Sequence, residues 1–250
     1  ARWHCLCVAH RLWADSSTTF CPMTISLLDN IAWKTLSGRH VRYSAGTTGA
    51  RRYARSFSPI IGFPDTEKPD FRALSPFCRS GEHFYFEGWP GNPPAGWNVE
   101  AESTILKMVW AGDTPMTDEA QDATPLRPEH VARALELTAL TRPGPFGPRT
   151  FELGAYFGYF DGDRLVAMAG ERMFADPLRE VSGVCTHPDF RGRGLARKLM
   201  MKLIRQELRR GETPFLHVMR ENSGARSLYE RMGFRTYRET VVRVVSPTQP

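Results

Sequence analysis

The sequence predicts a mixed α/β (α+β) protein, a mixed sheet flanked by helices, preceded by an N-terminal α/β extension. Three observations predict it. Residues 181–196 read as a buried strand entering a glycine- and arginine-rich turn that opens a helix, because Leu195, Leu199, Leu203 and Ile204 recur at helical spacing. Residues 213–234 repeat the order strand then helix. Residues 157–169 read as two strands around Asp161-Gly162-Asp163, a hairpin turn signal. At 250 residues, 41% hydrophobic and 24% charged, the chain can bury one large core or two smaller ones.

Taken in chain order, residues 1–22 look foreign to the rest of the chain. They begin without Met, hold three of the five cysteines and carry Trp3 and Trp13 with no period, so a non-native or disordered leader is expected there and Met23 is the expected start. Residues 23–110 form the extension, with a helix over 70–78, a short strand over 83–87 and a stronger strand over 102–110 rich in Ile105, Leu106, Val109 and Trp110. Gly, Pro, Thr and acidic residues make 111–124 a polar linker. The main domain is expected over 125–250. Pro128 introduces a helix with Val131, Leu135, Leu137 and Leu140 as its apolar positions, stopped by Pro143 and Pro145. The hairpin, the 181–186 strand, a motif helix, a strand over 213–219 and a second motif helix come next. Asn222 is a natural N-cap for that helix and Gly233 suits its left-handed C-terminal cap. Residues 235–245 then leave room for one long strand or two very short ones. An unpaired sheet edge there would be a liability, so the extension is expected to supply a covering strand over 103–110.

The turn before the first motif helix has the chemistry of a phosphate cradle. The first N–H groups of a helix lack intrahelical acceptors and its dipole favours negative charge there, so a pyrophosphate can stand in for the missing acceptors. Gly192 and Gly194 allow positive φ and close approach of an anion to the amides. A P-loop would need Gly-Lys-Ser/Thr, and a dinucleotide-binding turn would need a third glycine or alanine where Arg197 stands. Neither fits.

Arg191-x-x-Gly194-x-Ala196 resembles the Gln/Arg-x-x-Gly-x-Gly/Ala signature of the GNAT superfamily of acyl-CoA-dependent N-acyltransferases. Asn222, Ala225, Leu228, Tyr229, Gly233 and Phe234 resemble its second signature, Asn-x-x-Ala-x-x-Leu-Tyr-x-x-x-Gly-Phe. The resemblance covers roughly residues 123–245 and implies a GNAT-like mixed sheet; a covering strand over 103–110 would make the extension a degenerate half of the same kind. The resemblance also implies acetyl-CoA as cosubstrate. The backbone of Val184, Cys185 and Thr186 would pair with the pantetheine arm, and the amides of Arg191, Gly192, Arg193, Gly194, Leu195, Ala196 and Arg197 would hold the pyrophosphate, with Asn222 on the coenzyme side. Tyr229 would be the general acid for the departing thiolate. In one respect the chain departs from the family, whose domains commonly finish with a hairpin after the second motif helix.

An acyl thioester is already activated, so such an enzyme needs to hold it beside a neutral amine, stabilise the oxyanion and protonate the leaving sulfur, with no covalent acyl-enzyme. Glu180 and Glu171 are the candidate general bases, acting directly or through water, and the reading of both as exposed strand-end charges stays open. Cys185 reads as a buried strand cysteine rather than a nucleophile. The acceptor is expected to be a small-molecule or peptide amine. The loop over 141–150, with Trp89 and Trp97 of the extension, is expected to wall its pocket.

Composition excludes several classes. No apolar span is long enough for a membrane helix, five scattered cysteines argue for reduced thiols, and a cytoplasmic, metal-free protein is expected. The net charge of +6, with Arg39, Arg42, Arg51, Arg52 and Arg55 near Tyr43 and Tyr53, raises nucleic-acid binding as a disfavoured reading. A polyanionic coenzyme needs only a local positive field. The alternative to an enzyme is a non-catalytic acyl-CoA-binding regulatory module. The oligomeric state is not legible.

Overall fold

The computed structural model describes residues 22–248, so the expected leader lies outside it apart from Pro22. The chain runs through α1 (Pro22–Ile25), α2 (Ile31–Ser37), β1 (Ser44–Gly46), β2 (Arg51–Tyr53), β3 (Ile61–Gly62), α3 (Phe71–Leu74), β4 (Phe84–Glu87) and β5 (Trp97–Trp110). It continues with β6 (Thr124–Pro125), α4 (Val131–Thr141), β7 (Tyr156–Asp161), β8 (Arg164–Ala175), β9 (Leu178–Thr186) and α5 (Leu195–Arg209). Last come β10 (Thr213–Met219), α6 (Ser223–Met232) and β11 (Phe234–Pro247).

Eight strands form one sheet in the order β4-β11-β5-β10-β9-β8-β7-β6, while β1, β2 and β3 make a small separate sheet. Only the β9–β10 pair is parallel. Period-two alternation sends successive residues to opposite faces. Leu106, Met108, Trp110, Leu216 and Val218 pack against Leu199, Met200, Leu203 and Ile204 of α5. On the other face Val109 and Phe215 pack against Ile31, Ala32 and Leu36 of α2. Each fully buried aliphatic side chain of α5 contributes on the order of 1.5–3 kcal/mol of transfer free energy, so the helix is held by its packed stripe more than by propensity.

The covering strand is longer than expected and more central. β5 pairs with β11 from Trp97 to Trp110 and, on its other edge, with β10 from Ile105 to Val109. One sheet therefore crosses the boundary drawn at 110 from composition. The extension adds β4 and β5 to that sheet and carries β1, β2 and β3 as a small sheet of its own. The room after α6 is taken by one long strand, β11, which has β5 on one side and β4 on the other.

Two local expectations need correction. The 111–124 segment is no free linker, because Ala120 is fully buried, Lys202 Nζ lies 2.5 Å from Asp118 Oδ2, and Arg197 pairs with Glu119. The buried face of α4 is Ala134, Leu137 and Thr138, whereas Leu140 is exposed. α4 packs Ala134 and Leu137 against Leu165 and Met168 of β8 and Cys185 of β9, so of the expected apolar positions Leu137 is buried while Leu140 is not. Period alone favoured the larger leucines.

A fragment spanning residues 111–250 would lack β5 and leave β10 and β11 without the strand that joins them. It is expected not to fold: circular dichroism and gel filtration should show a disordered or aggregated chain. A monomeric fragment with cooperative unfolding would contradict this account of the sheet.

Candidate active site

β9 and β10 pair only where Leu178, Arg179 and Glu180 face Thr213, Pro214 and Phe215. Beyond that the strands part. β9 slips register against β8 between Met168 and Gly170, and Gly183 in this stretch has a φ of +63°, a left-handed conformation that turns the strand away from its neighbour. The edges over 181–186 and 216–219 then face each other without pairing and line a cavity of about 710 Å³. Unpaired strand edges are hydrogen-bonding surfaces for an extended ligand.

The glycine turn stands beside the cavity, which Arg191 and Ala196 help to line. Gly192 and Gly194 hold φ of +76° and +75°, and Gly194 caps α5 with no side chain bonded to the first helical amides. The N–H groups of Leu195, Ala196 and Arg197 thus have no intrahelical acceptor. A Cβ on Gly192 or Gly194 would meet nothing within 4 Å, so the space over these amides is open to an anion. On the facing wall stands Tyr229, 8% exposed. Burial, with Cys185 nearby, pushes its phenol up to about 12, so it stays protonated through the neutral range.

The floor carries a chain of buried charges contributed by five strands. Arg172 of β8 forms a two-bond pair with Glu180 of β9, Nε to Oε2 at 2.9 Å and Nη2 to Oε1 at 2.7 Å. Glu180 Oε1 lies 2.8 Å from Nδ1 of His217 on β10, and His217 Nε2 lies 3.4 Å from Glu87 Oε2 on β4. Glu87 Oε1 faces Lys107 Nζ of β5 at 3.1 Å, and that lysine donates to the Leu28 carbonyl. Burial acts to raise both carboxyl pKa values, but Arg172 and His217 hold Glu180 far below the usual carboxylate range, and Lys107 and His217 bring Glu87 down to about 2. Burial disfavours charge on His217, yet its contacts with Glu180 and Glu87 outweigh it and raise its pKa.

The family model for FR47-like proteins matches residues 156–244. A crystal structure of a Novosphingobium aromaticivorans protein assigned as an acetyltransferase of the GNAT family is 32% identical, with a TM-score of 0.81 over 89% of this chain and 99% of that one. This chain belongs to the GNAT family. It is an acyltransferase. The GNAT fold extends to a GCN5-related N-acetyltransferase from Kribbella flavida, 18% identical with a TM-score of 0.54 over 88% of this chain and 97% of that one. A GCN5-related N-acetyltransferase-like protein from Streptococcus suis is 13% identical with a TM-score of 0.56 over 89% and 97%. No functionally curated protein matches the chain in sequence.

Of the residues singled out in this GNAT chain, Glu180, Val184, Cys185 and Thr186 line the cavity, as do Arg191, Ala196, Asn222 and Tyr229. Gly192, Arg193, Gly194, Leu195 and Arg197 belong to the turn and helix start beside it. Their side chains are partly committed: the Arg193 guanidinium stacks over Phe190 at 4.5 Å, and Arg197 pairs with Glu119. Asn222 Oδ1 accepts from Ala225 N at 3.1 Å as a helix cap. Burial pushes the Cys185 thiol up to about 11, which fits a packed cysteine and not a nucleophile.

Glu171 does not reach the cavity. It is 3% exposed, bonded to Arg210 at 2.6 Å, and lies beside Glu207, a fully buried carboxyl that burial and Glu171 keep neutral. Its place behind the sheet removes it from the candidate bases. Glu180 does reach the cavity, but it is neither exposed nor free, and a carboxylate held so acidic is a weak proton acceptor. Trp89 and Trp97 also move off the site: both are buried in an aromatic cluster with Phe63, Phe71 and Phe86. Loop residues 141–145 do line the cavity, and Ser58 Oγ and Arg172 Nη1 both donate to Pro145 O. The arginines of 39–55 are largely occupied, Arg39 with Asp176, and Arg52 and Arg55 with Glu82.

Sequence reading missed Glu87, Lys107, Arg172 and His217. A signal was present for Glu87, Lys107 and His217, each a charged or titratable residue beside a run of apolar strand residues, a place where burial demands a partner, whereas Arg172 next to Glu171 gave none. Among the described residues no group of three or more His, Cys, Asp or Glu is arranged to hold a metal ion, and no helix is long and apolar enough to cross a membrane.

Arg172→Met would strand the Glu180 carboxylate in the interior. Breaking a buried pair from one side costs about 3–5 kcal/mol, so urea unfolding should report a loss of that order. A loss below about 1 kcal/mol would show that water reaches Glu180.

Proposed function

We propose that this GNAT protein is an N-acetyltransferase that moves the acetyl group of acetyl-CoA to a primary amine by direct attack in a ternary complex. The observation that carries the reading is the junction of split strands and glycine-capped helix, which joins an extended hydrogen-bonding slot to an anion-binding turn in one continuous cavity. The slot suits the amide-bearing pantetheine arm, with the backbone of Val184, Cys185 and Thr186 as its pairing edge. The turn suits the pyrophosphate, with amides from Arg191 to Arg197 as donors and the Arg191 guanidinium at the cavity wall.

The cosubstrate supplies an activated thioester. Tyr229 acts at the other end of the slot, where its protonated phenol can give a proton to the departing sulfur. The acceptor enters from the side closed by α2, β4 and loop residues 141–145, and its amine attacks without an acyl-enzyme. A phenol proton donor beside the slot favours turnover over mere coenzyme retention. Release of free CoA thiol across a panel of primary amines tests the reading, and a chain that binds acetyl-CoA but releases no thiol with any of them would instead be a binding module.

Gly194→Val places a β-branched residue at a φ of +75° in the cradle. Strain of about 1–3 kcal/mol, added to obstruction of the anion, should weaken acetyl-CoA binding about tenfold or more in calorimetry. Unchanged affinity in the folded variant would remove the cradle from the coenzyme site. Tyr229→Phe keeps the ring and removes the donor, so turnover should fall about 10²-fold while the acetyl-CoA dissociation constant holds. Wild-type turnover in this variant would make Tyr229 a packing residue.

A further inference from the structure

We infer that Glu87 and His217 form an alkylammonium site at the inner end of the cavity, in which Glu87 receives the charged amine and His217 Nε2 takes its proton, with Glu180 fixing the imidazole. The inference rests on the acetyl-transfer reading and deepens it. Glu87, Glu180 and His217 line the same cavity as Tyr229. Nδ1 of His217, 2.8 Å from Glu180 Oε1, is the donor nitrogen in the neutral ring, which leaves the Nε2 lone pair pointing toward Glu87. Nε2 is buried and has no hydrogen-bond partner among the described residues, and in the neutral ring its 3.4 Å separation from Glu87 Oε2 sets a lone pair against a carboxylate. A donor with several N–H groups and a positive charge resolves both defects. An alkylammonium is such a donor.

The charge balance agrees. His217 contacts Glu180 from β9 and Glu87 from β4, which pair in turn with Arg172 from β8 and Lys107 from β5, so the cluster holds two cations and two anions besides the imidazole. With the imidazole neutral the cluster carries no net charge, and the incoming ammonium brings the unmatched one. Transfer moves that charge onto a ring flanked by two carboxylates, whose contacts favour its protonated form and raise the pKa of His217. In the reaction the Nε2 lone pair bonds an ammonium proton and the N–H electrons return to nitrogen. The neutral amine attacks the thioester carbonyl, the C–N bond forms, the C–S bond breaks, and the sulfur takes the Tyr229 phenol proton. The second proton of the attacking nitrogen restores the phenol through water, and the imidazolium releases its proton to solvent. This chemistry sets the substrate class: a primary alkylamine, with a pKa near 10 like that of lysine, needs this proton acceptor, whereas a weakly basic amine does not.

The test is kcat/KM against pH for the full chain with acetyl-CoA and either primary alkylamines or hydrazine. Wild-type activity toward alkylamines should show an acid limb that breaks above pH 6.5 and well below the amine's own pKa. In His217→Gln that rate should fall about 10²-fold or more and rise unbroken toward the pKa of the amine, while hydrazine turnover and the acetyl-CoA dissociation constant change less than about threefold. In Glu87→Gln, with one anion removed beside the ring, the limb should move to lower pH and the KM for alkylamines should rise. Equal losses of alkylamine and hydrazine turnover in His217→Gln, or an unchanged limb, overturn the proton-acceptor role. Should His217→Gln fail to fold, a wild-type profile without the limb, or an unmoved limb in Glu87→Gln, overturns it as well. A wild-type chain that releases thiol with no amine overturns the acetyl-transfer reading and this inference together. Wild-type turnover matched by His217→Gln overturns the inference alone.

Discussion

The β9–β10 pair is parallel for three residues and then cannot continue. Much of the functional architecture depends on that break. Gly183 turns β9 aside, and two strand edges that a continuous sheet would have consumed become the walls of a cavity. The same break leaves the two strands without backbone hydrogen bonds at the depth where the sheet should be most cohesive. The Glu180–His217 side-chain contact spans it there, with Arg172 anchoring one end and Glu87 with Lys107 the other. A buried ion pair is weak evidence for stability, because desolvation offsets most of the attraction. Its value here is positional: five strands are held in register across a gap by groups that tolerate no displacement without exposing a lone charge.

Much of the C-terminal half was legible because its signals are local. Gly192 and Gly194 before a leucine-spaced helix, Asn222 as a cap and Gly233 as a stop each come from one turn of backbone chemistry. The structure has these elements within one or two residues of their expected bounds. The place of β5 was only half legible. Ile105, Leu106, Val109 and Trp110 mark a strand, and the lack of a closing hairpin after α6 marks an unpaired edge, but the pairing of residues 97–110 with residues 234–247 is a contact between distant parts of the chain that no local pattern encodes. The α4 face was legible in part: Leu137 is buried as its spacing predicts, whereas Leu140, at the helix's last turn, is exposed, and Ala134 and Thr138 complete the buried face.

The candidate bases were chosen by position along the sequence, and geometry separates them. Glu171 and Glu180 flank the same hairpin, yet one is consumed by Arg210 behind the sheet and the other by Arg172 at the cavity. His217 was hidden by its setting, a single polar residue in Phe-Leu-His-Val, where an unremarkable packed histidine is the ordinary reading. What distinguishes it is the pair of carboxylates on either side, one of them from residue 87. Glu87 and Lys107 lie outside residues 156–244, the span that the family model matches. The cavity is thus built largely from residues inside the span that the family model matches and is completed by residues of the N-terminal extension. The family resemblance is for that reason informative about the group transferred and much less so about the amine that receives it.

The position of the extension also sets how the acceptor side can vary. β4 reaches the cavity only because β11 holds it at the sheet edge, and its alternation sends Phe84 and Phe86 into the aromatic cluster while Tyr85 and Glu87 face inward. A one-residue slip of β4 against β11 would exchange those faces, burying Glu87 among aromatic rings and opening the floor to Phe86. The cluster of Phe63, Phe71, Phe86, Trp89 and Trp97 opposes such a slip, since each ring has little room outside its present site. Trp89 and Trp97, expected to wall an acceptor pocket, therefore act one layer behind the cavity. They hold the register that keeps a carboxylate, and not a phenyl ring, at the cavity wall.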